Sequence, residues 1–145
     1  MKMPTKSAIF CLFLCLIFIA GCGNKPETDE DKLNALATSF GKDYCAVFNT
    51  GDQKAAEHLI GLYDPNAKHR PPTPQSVIKF IRQDYHPDAE LSFASIRNVA
   101  VQGYLAEVQV NLKLTHKKIG QSAEAVVTVQ AVKANNQWKV ADFHF

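Results

Sequence analysis

The chain has 145 residues, 46% of them hydrophobic and 21% charged, which is one domain's worth of globular protein and excludes a disordered chain. Its formal net charge is +2, too small for a nucleic-acid-binding face, so nucleic acid is not expected among its partners.

Lys2 and Lys6 precede an unbroken apolar run, Ala8 to Ala20, of 13 residues. As a helix this run would be about 20 Å long, against about 30 Å for a bilayer core. It therefore reads as the apolar region of an export signal rather than a membrane span. The run closes on Ile19-Ala20-Gly21-Cys22, which resembles the lipobox of bacterial lipoproteins. The resemblance implies cleavage after Gly21, lipidation of Cys22, and a membrane anchor made by that lipid. Gly23 stands where aspartate usually retains such proteins at the inner membrane. The expected address is thus the bacterial cell envelope, at the outer membrane and facing the periplasm.

This reading divides the chain into a signal peptide (1–21), a lipidated cysteine with a short tether (22–30) and a folded domain (31–145). Loss of the signal removes Lys2 and Lys6 but no acid, so the mature chain carries equal numbers of acidic and basic residues. Cys11 and Cys15 leave with the signal as well, and Cys22 is capped. Cys45 is then the sole free thiol, which excludes an intramolecular disulfide; it reads as a small, partly buried helix residue, or as a thiol that pairs between chains.

Thr28-Asp29-Glu30-Asp31 is a helix start, with a capping threonine and acids at the positive end of the helix dipole. Leu33, Leu36, Ala37, Phe40, Tyr44, Val47 and Phe48 then recur at helical spacing. Asn49-Thr50-Gly51 ends that helix, and Asp52 caps a second whose apolar face is Ala55, Ala56, Leu59, Ile60 and Tyr63. A Pro-rich basic loop follows, Ala67 to Pro72, and Thr73-Pro74 opens a third helix bearing Val77, Ile78, Ile81 and Tyr85. The period then changes to two. Strands are predicted over Leu91–Val101, over a run in which Ala106, Val108, Val110, Leu112 and Leu114 alternate with polar residues, over Ala123–Val132, and over Trp138–Phe145. Three N-terminal helices followed by four antiparallel strands predict an α+β domain, the helices covering the apolar face of a curved sheet.

The long first helix, the Asn49-Thr50-Gly51-Asp52 link and the Asn136-Gln137-Trp138-Lys139-Val140 strand resemble nuclear-transport-factor-2-like domains. That resemblance implies a cystatin-like cone with a pocket at its wide end, on a fold that hosts both enzymes and binding modules.

Which polar residues enter such a pocket is the functional question. On a regular last strand Asp142 and His144 share one face, where a carboxylate would orient an imidazole, and they are the catalytic candidates. Tyr44, Tyr104 and Trp138 are the ligand-binding candidates, since a phenol or indole supplies one polar contact on an apolar body. Tyr63 and Tyr85 are expected in packing. Lys68-His69-Arg70 is a solvated loop or a contact for an anionic partner. Glu107, Gln109, Asn111 and Lys113, with Thr128 and Gln130, form a polar sheet face. His58, His69, His86, His116 and His144 are scattered, and Gly51, Gly61, Gly103 and Gly120 stand alone, so neither a metal nor a cofactor is expected.

Three readings follow. The first is a non-enzymatic lipoprotein that binds an envelope protein or a small ligand through its pocket or sheet face. The second is an enzyme of proton transfer or hydrolysis using Asp142 and His144. The third is a structural module that self-associates as a homodimer through its sheet, marked by an apolar stripe there.

Overall fold

In the computed structural model, residues 25–145 are described; the signal, Cys22 and the first tether residues lie outside them. Three helices, α1 (Asp29–Thr50), α2 (Gln53–Leu62) and α3 (Pro74–Ile81), precede four strands, β1 (Ala89–Gln102), β2 (Leu105–His116), β3 (Ser122–Ala134) and β4 (Gln137–His144). The strands form one antiparallel sheet in the order β1-β2-β3-β4. The domain is α+β, as expected. Its first helix starts at Asp29, so the folded unit takes in the last residues assigned above to the tether.

Each helix forms where its capping chemistry stands. The Thr28 hydroxyl accepts from Asp31 N at 3.1 Å, and the Asp31 carboxylate accepts from Thr28 N at 3.0 Å. Gly51 ends α1 with φ +69°, a left-handed conformation, and its N–H reaches Val47 O at 2.8 Å. Asp52 then accepts from Ala55 N to start α2, and Thr73 with Ser76 repeats the capping box at α3. Tyr85 falls beyond the end of α3, where the Arg82 guanidinium lies 4.1 Å from its ring centre.

The core lies between α1 and the sheet. Leu33, Ala37, Phe40 and Val47 meet Val108, Val110, Leu112, Val127, Val129 and Val140, all essentially solvent-free. Gly41 lets the helix close on the strands. A methyl group there would lie 2.7 Å from Phe93 and 3.0 Å from Val110. The other sheet face carries Glu107, Gln109, Asn111, Lys113, Thr128 and Gln130, none of them buried.

Both sheet edges are blunted. On β1, register shifts between Phe93 and Ser95 and between Ile96 and Asn98 break the ladder into short runs. On β4, Tyr63 bridges Val140, and Asp64 N donates to Val140 O at 2.8 Å.

Candidate pocket between the helices and the last strand

The alternation of β4 is broken at one place. Gln130 faces Asp142 and Ala131 faces Val140, which leaves Ala141 as an extra, unpaired residue. Trp138 and Val140 are buried before this bulge, and Phe143 packs inward after it, with ring centres 5.1 Å from Phe40 and 5.9 Å from Tyr44. Beyond the bulge Asp142 and His144 still share one parity, now that of Gln130 and Thr128 rather than of Trp138 and Val140, and the expected pair between them is not formed. His144 is exposed, opposite Thr128. Asp142 instead meets His69, its Oδ2 lying 2.7 Å from the His69 Nδ1, while its Oδ1 accepts from Phe143 N.

His69 and Asp142 stand at a pocket of about 370 Å³. Leu59 from α2, Tyr63 at its C-terminal cap, Val77, Phe80 and Ile81 from α3, and Phe143 from β4 make most of its wall, with Pro71 and Pro72 at the loop side. The wall is mainly apolar and aromatic. Phe80 is 54% exposed and stacks edge-on against Phe143, centres 5.9 Å apart. Phe145, at the chain end, adds an exposed ring against Tyr44. The volume lies within the range of small-molecule sites, about 300–1,000 Å³.

Tyr63 gives the pocket a third polar group. Burial, then the Asp142 carboxylate and Tyr44, push its phenol well above the ordinary value. The hydroxyl therefore stays protonated and can donate, whereas the Asp142 carboxylate can accept. His69 is 58% and Asp142 37% exposed at the side chain, so the pair sits at the rim, in contact with water.

The other candidates fall elsewhere. Burial pushes the Tyr44 phenol up to about 12, and its ring backs the pocket through Phe143 rather than lining it. Trp138 is buried at the start of α1, where its indole N–H donates to Asp29 Oδ1 at 3.1 Å. Tyr104 is 66% exposed on the β1–β2 turn and does not line the pocket. Cys22 lies outside the described residues. The sequence reading missed His69 as a partner, and Tyr63, Phe80 and Phe143 as lining. One signal was present: Phe143 is a large apolar residue on the strand parity opposite to Trp138 and Val140, which is the mark of a bulge between them.

No protein-family model matches this sequence, and no curated protein is significantly similar to it. Solved structures are similar in shape. A cystatin-like domain of unknown function from Nostoc punctiforme matches with TM-score 0.54 at 12% identity, covering 79% of this chain and 74% of that one. The chain has the cystatin-like fold. A nuclear-transport-factor-2-like protein with this fold from Novosphingobium aromaticivorans matches with TM-score 0.52 at 13% identity over 98% of this chain and 89% of that one. Another, of unknown function, from Shewanella oneidensis gives TM-score 0.51 at 18% identity over 81% and 98%. At such identities the likeness concerns the cone and carries no activity with it.

Proposed function

We propose that this cone is the ligand-binding domain of an envelope lipoprotein, anchored through Cys22, and that it takes a small, mainly apolar molecule with one polar end. The observation that supports binding is the pocket itself: an aromatic and aliphatic wall of drug-sized volume, with the His69–Asp142 hydrogen bond and the Tyr63 hydroxyl as its polar groups. Such a wall supplies affinity by burying apolar surface, and the few polar groups fix orientation. Binding is favoured over catalysis because the His69–Asp142 pair lies open to water, whereas acid–base chemistry gains most in a water-excluded site. Anchoring is supported by the apolar run that ends on Ile19-Ala20-Gly21-Cys22, a few residues before the first helix cap.

The test is native mass spectrometry of the full mature protein, taken from the envelope of its own host. A mass excess matching one small molecule is expected, and it should fall in Asp142→Ala and in Phe80→Glu, which alter the rim and the wall. An apo mass in the parent protein refutes pocket binding. The same spectra read the acyl mass on Cys22, and its absence refutes the anchor independently.

A further inference from the structure

We infer that the sheet tip formed by the β1–β2 turn is a membrane-docking surface, whose occupant is the bilayer that carries the Cys22 lipid. The inference rests on the anchoring reading above.

The tip gathers three chain segments. Lys133 N donates to Tyr104 O at 2.8 Å, which ties the β1–β2 turn to the end of β3. Lys133 Nζ in turn meets both oxygens of Asp29, at 2.8 and 2.9 Å, and Trp138 at the start of β4 bonds the same carboxylate. The chain therefore leaves the folded domain, toward Cys22, beside the β1–β2 turn. From Cys22 to Thr28 there are six peptide steps. At about 3.3–3.6 Å each, they hold the first helix cap within about 20 Å of the lipid's attachment point. The far turn, after β2, lies about 40 Å along the strands at 3.3 Å per residue.

The surface held closest is the one suited to lipid. Val101 is 44%, Tyr104 66% and Leu105 48% exposed, and the stretch Val101-Gln102-Gly103-Tyr104-Leu105 contains no charge. Tyrosine with aliphatic neighbours is the composition that settles at a headgroup boundary. At the opposite turn the exposed Ile119 follows Lys117 and Lys118, the latter paired with Asp88 at 2.8 Å. Around the tip four lysines (25, 32, 133, 139) are balanced by Glu27, Asp29, Glu30 and Asp31. Attraction to anionic headgroups therefore cancels, and the contact is apolar. Three side chains are too few to bind a free domain. The tether keeps them at high local concentration, which makes a weak contact sufficient. Asp142 lies opposite Gln130, three residues along β3 from Lys133 and its Tyr104 contact, which holds the pocket rim about 10 Å from the tip.

The test uses the lipidated full mature protein in phosphatidylethanolamine/phosphatidylglycerol vesicles. One form carries an environment-sensitive fluorophore at Tyr104→Cys and another at Ile119→Cys; Cys45 is buried and Cys22 is blocked by lipid. Lipid-borne nitroxides are expected to quench the label at 104 severalfold more than that at 119, equally in low and high salt, and Leu105→Glu should abolish the difference. Equal quenching at both sites on an acylated protein overturns the docking and leaves the anchor standing. An intact mass without acyl chains removes the anchor and the docking with it. Quenching at 104 that salt releases overturns the apolar character of the contact.

Discussion

Asp29 shows how one half-buried surface side chain can be structural. It receives Lys133 and the Trp138 indole, and it opens α1 where the helix dipole favours a negative charge. Those hydrogen bonds, Lys133 first, hold its pKa below the ordinary 3.8. A carboxylate lowered on folding adds stability that is complete above its unfolded value and is lost as pH falls through the folded one. Asp29→Asn keeps an acceptor but removes the charge. The stability gap between parent and variant, measured by urea unfolding, should thus be constant from pH 7 to about 5 and close below the ordinary value of 3.8. Asp31 is lowered as well, by Thr28, but it is present in both proteins and cancels. Gly41 makes the opposite case, a residue that matters for what it lacks. Alanine would gain about 0.5–1 kcal/mol of helix propensity, against an overpacking cost of about 1–3 kcal/mol where Val110 cannot yield. Gly41→Ala should lower stability by about 1–2 kcal/mol in urea unfolding.

Among elements, the link between α1 and α2 carries more than a turn. Asn49 lies along the backbone of β1, its Nδ2 donating to Leu91 O and its Oδ1 accepting from Leu91 N, both at 2.8 Å. One amide side chain acts there as a short piece of neighbouring strand and covers the sheet edge at Leu91. Asn49→Ala leaves both backbone groups without a protein partner. The expected loss is about 1–3 kcal/mol, with faster hydrogen exchange at the Leu91 amide than at its β2 neighbours. The role of Gly51 and Asp52 in this link was legible in the sequence, because a left-handed cap and an N-cap are local events with fixed residue types. The Asn49 clasp was not, since its partner is 42 residues away. The same distinction divides the pocket. Helix faces and strand alternation place Leu59, Val77 and Ile81 inside from their spacing alone. The Ala141 bulge reverses the parity of everything after it, and a loop 73 residues earlier delivers His69 to Asp142. Periodicity carries no term for either.

At the scale of the molecule, one core under α1 must stabilise the domain, because Cys45 is the free thiol of the described residues and no disulfide assists it. Cys45 lies within that core, 7% exposed, and burial pushes its thiol up to about 12. Two barriers thus protect it: access, and the scarcity of thiolate in an environment that disfavours charge. An ordinary thiol near pKa 8.5 would react within minutes at mildly alkaline pH, so the difference is measurable. In a chain spanning residues 23–145, reaction with an aromatic disulfide reagent should be slow in buffer and rise with urea. Where reclosing outpaces reaction, the rate should track the equilibrium population of open molecules. Variants that loosen the core, such as Gly41→Ala, should speed labelling by the factor by which their unfolding equilibrium constant rises. Replacements at the exposed tip, such as Tyr104→Ser, should leave it unchanged. Rapid labelling of the parent protein without denaturant would mean that α1 leaves the sheet far more often than a core of this burial allows.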